Sequence, residues 1–186
     1  MGLAGATDVA GRTAQLLVEL DERVDHLHGQ LDRHPDVPLQ VHSRCSRIEI
    51  FAVFGIGDGA KVAPWQSGVY QVPDAELFAF TLDKSSGAFS PTTRYRDYAI
   101  SPSLIHWETL SMTREDSDTG LRYRNHERDG RSILLFTRLR ADYRAFWFLG
   151  PATYRGHLGE KPMAITWELH TPLPGDLYQS FAAAVA

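Results

Sequence analysis

The chain has 186 residues, of which 43% are hydrophobic and 23% are charged, and its formal net charge is −4. This composition is ordinary for one folded domain with a core. The single cysteine, Cys45, excludes a disulfide framework and a cysteine-rich zinc site, and we expect it to be a buried small hydrophobe. No apolar run approaches the ~20 residues of a membrane span and no signal-peptide pattern is present, so a cytoplasmic protein is expected.

The charges are unevenly distributed along the chain. Residues 1–40 contain three arginines and seven acidic residues, whereas residues 119–155 contain eight arginines and three acidic residues. Local potential, more than net charge, steers a polyanion to a protein. Arginine outnumbers lysine 16 to 3, and guanidinium groups suit phosphates and base edges. A GC-rich genome produces the same arginine excess without any function behind it.

The first predicted element is a helix from Asp8 to about His34, which ends before Pro35. Its apolar residues are spaced by three and four positions and form one seam: Leu17, Leu20, Val24, Leu27 and Leu31. The seam fits either a helix packed on its own domain or a short coiled coil that forms a homodimer. We therefore predict an N-terminal helical extension over residues 1–40 and one globular domain over residues 41–186.

The segment Val41–Phe54 is ambiguous. A helix from about Ser43 is favoured because Ile48, Phe51 and Ala52 recur at helical spacing, although the alternation in this segment also allows a strand. The glycines that follow, at positions 55, 57 and 59, end the element. They do not form a dinucleotide-binding fingerprint, because no clear strand precedes them and no clear helix follows.

From Val62 onward the pattern indicates short strands bounded by turn residues. The predicted strands are Val69–Val72, Glu76–Leu82, Tyr95–Ser101, Leu104–Leu110, Leu121–Asn125, Ile133–Arg138, Phe146–Leu149 and Met163–Leu169. A final helix is predicted over Asp176–Val185, with Asp176 at its N-cap. The expected fold class is α+β, with N-terminal helices packed on a curved antiparallel sheet or a partly open β-barrel.

A search for catalytic machinery finds little. The chain has no His-Glu-x-x-His motif, no Gly-x-Ser-x-Gly elbow and no P-loop. His26 and His28 are separated by one residue of the predicted helix and therefore point apart, so no metal site is expected there. Asp97, Glu108 and Glu160-Lys161 loosely resemble a restriction-type metal nuclease, but no residue separates the acid from the lysine at Glu160-Lys161. We therefore expect a chain that is not an enzyme and that needs no cofactor or metal.

The segment from Phe89 to Tyr98 has the composition of a recognition element. Hydroxyl and methyl groups, a rigid proline ring and alternate arginines follow one another in Ser90, Pro91, Thr92, Thr93, Arg94, Tyr95 and Arg96. Such a turn can donate to phosphate oxygens while its apolar atoms touch a sugar or a base. The same residues also fit an ordinary Ser-Pro turn that precedes a strand.

Two later segments add candidate contacts. On the predicted strand Leu104–Leu110, His106 and Glu108 share one face and Trp107 faces the core. On the predicted strand Leu121–Asn125 and the residue after it, one face carries Arg122, Arg124 and His126. Those three side chains would form a track for phosphates, although a solvated edge strand has the same pattern.

Several spaced motifs, in order, resemble a known family. They are FTLDKSSGAFSPTTRYRDYAIS, IHWE, TGLRYRNH, ILLFTR and FLGPATYRGHLGEKPMAITWEL. These segments are similar to the sulfur-binding domain of type IV HNH restriction endonucleases, which recognise phosphorothioate DNA. They are also similar to the uncharacterised C-terminal domain of restriction-associated helicases. The resemblance covers residues from Arg44 to Leu177.

The resemblance implies a domain that holds double-stranded DNA at one modified phosphate, reads neighbouring bases and serves bacterial defence. The HNH nuclease would lie in a fused or partner module outside this chain. A general DNA-binding accessory domain of a restriction helicase or nuclease, without sulfur preference, is the alternative. The implied DNA-binding residues are His42, Arg44, Ser90, Pro91, Thr92, Thr93, Arg94, Tyr95, His106, Arg122 and Arg124.

Overall fold

The computed structural model describes residues 39–56, 68–84 and 96–184. The predicted helix from Asp8 to His34 and the recognition residues from Ser90 to Tyr95 lie outside the described residues. Three helices occur in these ranges: α1 (Arg47–Val53), α2 (Asp118–Arg124) and α3 (Gly175–Ala183). The strands are β1 (Arg44–Ser46), β2 (Val69–Val72), β3 (Ala75–Asp83), β4 (Tyr98–Ser101), β5 (Leu104–Glu108), β6 (Ser132–Arg140), β7 (Ala145–Leu158) and β8 (Ala164–Leu169).

The eight strands form one sheet in the order β2-β3-β6-β7-β8-β5-β4, and β1 pairs with the first residues of β7. The prediction of a mixed α and β domain built on a sheet is confirmed, but the prediction of an antiparallel sheet is wrong for one pair of strands. Strands β3 and β6 are parallel, with Phe78 opposite Leu135. The connection between them passes through β4, β5 and α2, which is long enough for the crossover that parallel strands require.

Both faces of the central strands are covered, which explains the continuous apolar runs of β3 and β6. One face packs around Phe78, Trp107 and Trp167, and the other packs against Ile50 and Phe51 of α1. The rings of Phe78 and Trp107 lie 4.6 Å apart, centroid to centroid, although β3 and β5 are four positions apart in the sheet. The sheet is therefore curved around the first core.

The helix that was predicted to begin at about Ser43 begins further along the chain, at Arg47. Residues Arg44–Ser46 make the short strand β1, and α1 begins at Arg47 because Ser46 caps it. The Ser46 hydroxyl accepts from the N–H of Glu49, and the Glu49 carboxylate accepts from the N–H of Ser46, which is a capping box. Cys45 is buried, as predicted. The helix α3 is also confirmed, but Pro174 occupies the N-cap position that was predicted for Asp176.

The predicted strand Leu121–Asn125 is wrong, because this segment is the end of helix α2. The hydroxyl of Ser117 accepts from the N–H of Gly120 and caps the helix. Gly120 packs directly on backbone, since a Cβ there would lie 2.1 Å from the carbonyl oxygen of Arg114. Gly120 and Tyr123 are the buried residues, at helical spacing. The arginines between and after them produced the misleading alternation.

Candidate nucleic-acid interface

The phosphate track predicted for Arg122, Arg124 and His126 does not exist as a strand face, because two of these residues lie on α2 and the third follows it. The Arg122 Nε donates to Oε1 of Glu76 across 2.8 Å. Glu76 is only 1% exposed, and Nη2 of Arg131 lies 3.6 Å from the same carboxylate oxygen. The described contact of Arg122 is therefore a partly buried ion pair that joins α2 to β3. Its DNA contact stays a prediction.

Arg124 and His126 also have structural partners. Arg124 donates to the carbonyl oxygen of Glu115 across 3.2 Å. His126 is 3% exposed, and its ring nitrogens lie 3.0 Å from the carbonyl oxygen of Arg131 and 3.1 Å from the N–H of Tyr154. The Nδ1–H of His126 therefore donates to the carbonyl oxygen of Arg131, and Nε2 accepts a hydrogen bond from the N–H of Tyr154. Burial lowers the pKa of His126, which favours this neutral ring.

His42 and Arg44 lie where β1 meets β7. The N–H of His42 donates to the carbonyl oxygen of Phe148 across 2.6 Å, and His42 adopts a positive φ of 68°. The guanidinium of Arg44 is exposed and lies 4.7 Å from the centroid of the Trp147 ring. A cation on an aromatic face keeps its hydrogen-bond donors free at its edge. Arg44 is therefore placed to contact a phosphate.

Further arginines lie at the same end of the sheet, around Phe146 on the face that packs on α1, whereas Arg44 lies over Trp147 on the other face. The guanidinium carbons of Arg138 and Arg47 lie 4.8 and 5.4 Å from the centroid of the Phe146 ring. Two more arginines flank the β6–β7 hairpin. We call this group the β7 arginine cluster; its members are Arg44, Arg47, Arg138, Arg140 and Arg144.

The β7 arginine cluster has few counter-charges among the described residues. Arg140 pairs with Asp142 across 3.2 Å, and Asp142, followed by the charge of Asp83, raises the pKa of Arg140. Arg44, Arg138 and Arg144 make no ion pair with a carboxylate in the described part of the chain. Burial, followed by the charge of Arg47, lowers the pKa of Arg138. This end of the sheet therefore carries positive charge on both faces, to which an anion would be attracted.

A second group of side chains holds together the chain on either side of residues 85–95. Lys84 Nζ lies 2.6 Å from Oδ2 of Asp97, which is 3% exposed. The N–H of Glu108 donates to Oδ1 of Asp97 across 3.1 Å, and the N–H of Arg96 donates to Glu108 Oε2 across 3.1 Å. Burial raises the pKa of Asp97, and the charge of Lys84 opposes that shift. We call this group the Lys84–Asp97 stem; its members are Lys84, Arg96, Asp97 and Glu108.

His106 lies next to this stem, on the sheet face that Trp107 does not share. Its ring stacks on that of Tyr98, with centroids 4.5 Å apart and planes 21° apart. Its Nε2 lies 3.8 Å from Glu108 Oε1. The predicted alternation on β5 is confirmed, because Trp107 is buried in the core. His106 is half-buried, so only part of its ring is available to a ligand.

The structure separates two of the predicted contacts. Arg44 lies opposite Trp147, whereas His106 is aligned through Thr166 with Gly156, nine residues further along β7. Nine residues of strand span about 30 Å. The two side chains also lie on opposite faces of the sheet, because Cys45 and Ile105 face different cores. Arg44 and His106 therefore do not form one compact site.

Sequence reasoning missed most of the β7 arginine cluster. Arg138, Arg140 and Arg144 were counted only as part of a basic stretch, and Arg47 was not singled out. Arg138 and Arg140 come from β6, Arg47 from α1 and Arg144 from the turn before β7, and their position at one end of the sheet depends on the pairing of β1 and β6 with β7. The available signal was local: arginines alternate at Arg138 and Arg140, just before a turn. The described residues contain no group of three potential metal ligands.

The fold and this surface define a mixed α/β domain with an open, curved sheet and an arginine-rich end. The chain belongs to the family described as a domain of unknown function (DUF3427), whose model matches residues 39–181. No curated protein matches the chain. Within the ranges that the structure describes, no helix is long and apolar enough to span a membrane.

Proposed function

We propose that this chain is a DNA-binding recognition module for phosphorothioate-modified DNA, working as part of a restriction system with a fused or partner nuclease. The observation that carries the proposal is the β7 arginine cluster. Three of its guanidiniums, those of Arg44, Arg138 and Arg144, make no ion pair with a carboxylate in the described part of the chain. Positive groups of this kind supply the salt-dependent part of DNA affinity.

The sulfur preference rests on the chemistry of residues Ser90 to Thr93. A sulfur atom that replaces a phosphate oxygen is larger, less hydrated and a weaker hydrogen-bond acceptor. A proline ring and threonine methyl groups therefore favour sulfur, by about 1–2 kcal/mol if one such atom is buried. An oxygen in the same place would lose hydration without gaining a donor.

The Lys84–Asp97 stem supports this assignment because it fixes both ends of the chain that carries these residues. Lys84 and Asp97 are 13 positions apart in sequence, and their charged atoms are 2.6 Å apart. The stem therefore holds Lys84 and Asp97, the described residues on either side of positions 85–95, close together.

The alternative is a DNA-binding accessory domain without sulfur preference. It is favoured by the same arginine cluster, since guanidinium groups bind any phosphate and carry no information about sulfur. Whether the domain prefers phosphorothioate over ordinary phosphate therefore depends on residues 90–93, and a binding titration decides it.

The test is a titration of two matched duplexes, one with a single phosphorothioate and one without, at two salt concentrations. We expect tighter binding of the modified duplex and weaker binding of both at higher salt. Equal affinity for the two duplexes would leave the general DNA-binding role. Arg128→Ala is the matched control, because Arg128 is exposed, pairs with Asp129 and lies outside the cluster. Strand cleavage by the isolated chain with Mg²⁺ or Mn²⁺ would contradict the non-enzymatic assignment.

A further inference from the structure

The turn between β6 and β7 carries an exposed aromatic side chain. Tyr143 is 38% exposed, whereas Phe136, Phe146 and Phe148 of the two strands that the turn joins are buried. The ring of Tyr143 is therefore partly available to a ligand. We call this turn the β6–β7 tip; its members are Arg140, Ala141, Asp142, Tyr143 and Arg144.

The backbone of Tyr143 is hydrogen-bonded on both sides. The N–H of Tyr143 donates to the carbonyl oxygen of Arg140 across 3.2 Å, which closes the turn. The carbonyl oxygen of Tyr143 accepts from Nη1 of Arg138 across 2.7 Å, and Nε of Arg138 donates to the Thr81 hydroxyl on β3 across 2.9 Å. The backbone that carries the ring is thus tied to its own hairpin and to the neighbouring strand. Because this backbone is ordered before a ligand arrives, less conformational entropy is lost on binding.

Charged residues flank Tyr143 in sequence. Arg140 pairs with Asp142 across 3.2 Å, and Asp83 of β3 lies opposite Arg140. Arg144 is exposed and makes no ion pair with a carboxylate among the described residues. An aromatic ring for a base beside a guanidinium for a phosphate is the combination by which proteins bind unpaired nucleotides. An aromatic anchor for a protein partner is more often surrounded by near-neutral contacts that exclude water.

We propose that Tyr143 stacks on a nucleobase that lies outside the base-paired stack of a bound nucleic acid, while Arg144 contacts a neighbouring phosphate. The inference rests on the proposed function in one respect, since it requires that the chain binds DNA, and it does not depend on the preference for sulfur. Neighbouring bases cover both faces of a base inside a duplex, so the ring can stack only where a base is extrahelical, terminal or single-stranded. Such stacking tolerates any sequence, because every base has a π-face.

The experiment compares two unmodified DNA duplexes that differ by one extrahelical adenine, by fluorescence anisotropy with the full chain. We expect the duplex with the extrahelical adenine to bind at least about fivefold more tightly, which is the lower end of the effect of one stacked base. Tyr143→Ala should abolish this preference, and Tyr143→Phe should retain it, because the ring stacks and the hydroxyl does not. Equal binding of the two duplexes by the unaltered protein, or an unchanged preference in Tyr143→Ala, would overturn the proposal.

Two further variants distinguish stacking from a loss of exposed apolar surface. Tyr143→Leu keeps an apolar side chain without a flat π-face, so we expect it to lose most of the preference; full retention would overturn stacking. Met112→Ala is the matched control, since Met112 is 79% exposed and lies outside the β6–β7 tip. It should retain the preference, and a loss as large as that in Tyr143→Ala would also overturn the proposal.

A third, phosphorothioate-modified duplex without an extrahelical base separates this inference from the proposed function. If the preference for the extrahelical adenine depends on Tyr143 and the modified duplex binds no better than the unmodified one, the inference stands and sulfur recognition fails. If the modified duplex is preferred and Tyr143→Ala treats the extrahelical adenine as the unaltered protein does, the inference fails and sulfur recognition stands. The exposed ring would then serve a partner other than a base. If no duplex binds, both fail.

Discussion

Arg122 and the buried Glu76 form an ion pair, with 2.8 Å between Nε and Oε1, and this pair joins helix α2 to strand β3. Arg131 approaches the same carboxylate and also donates to three carbonyl oxygens of the β2–β3 turn, those of Val72, Pro73 and Ala75. The chain thus uses two of its arginines to hold the fold together. Glu76 offsets one of these two positive charges.

Removal of Arg122 is expected to lower stability, since it leaves Glu76 buried with only the longer contact to Arg131. Arg122→Ala should lower the free energy of unfolding by about 1–3 kcal/mol, as expected when one partner of a buried pair is lost. Urea denaturation followed by circular dichroism measures this change. The control Arg128→Ala removes an exposed ion pair and should change stability by less than about 1 kcal/mol. Equal effects of the two variants would contradict the structural role.

We expect the loss of Lys84 from the stem to lower the free energy of unfolding by an amount that depends on pH. Lys84→Met leaves Asp97 buried without its positive partner, so the pKa of Asp97 rises further above its usual value. A carboxyl group with a raised native pKa loses stability as the pH rises through that pKa. The variant should therefore be more destabilised at pH 7 than at pH 4.5, by urea denaturation at both values. Adding Asp97→Asn should remove most of this difference, because no buried charge remains.

We expect His126 to give the stability of the protein a second pH dependence, in which stability is lost as the pH falls. Burial lowers its native pKa below the ordinary 6.5. The unfolded chain then binds a proton near pH 6.5 while the native ring stays neutral, so stability is lost as the pH falls from about 6.5 towards the native pKa. His126→Gln keeps an acceptor for the Tyr154 N–H and cannot titrate. It should show a smaller loss of stability between pH 7.5 and 5.5; an unchanged loss would assign the effect to other groups.

Much of the fold follows from local pattern, and the exceptions have physical causes. β2 is predicted to the residue, and β3, β5 and β8 to within two residues at each end, since β-branched and aromatic runs mark them. The parallel pairing of β3 with β6 is not local, because each strand alone is compatible with either partner direction. Helix α2 was missed because its cap at Ser117 was outweighed by the alternation of Arg122 and Arg124.

The candidate site was less predictable than the fold. Arg44 was identified, but Arg138 and Arg144 are about 100 positions away in sequence and reach the same end of the sheet only through strand pairing. His106 was grouped with Arg44, although the curved sheet places them on different faces. Composition and charge thus locate a basic region, whereas the partners of each arginine, and hence its free charge, depend on the tertiary fold.

The salt dependence of DNA binding tests the β7 arginine cluster directly. Arg44→Ala and Arg144→Ala should each weaken binding to any duplex. If each arginine contacts one phosphate, the slope of log affinity against log salt should fall by about 0.9 per variant. Fluorescence anisotropy at four salt concentrations provides the slopes. Arg128→Ala should leave the slope unchanged, and an equal loss in that variant would show that the attraction is not confined to the cluster.

The final prediction separates sulfur recognition from phosphate attraction by comparing two variants. Pro91→Gly removes the apolar ring that favours sulfur, so it should lower the ratio of affinities for modified and unmodified duplex more than it lowers affinity for the unmodified one. Arg144→Ala should weaken both duplexes equally and leave the ratio unchanged, since a guanidinium contact is indifferent to one sulfur atom elsewhere. A ratio that changes in Arg144→Ala and not in Pro91→Gly would place sulfur discrimination within the arginine cluster.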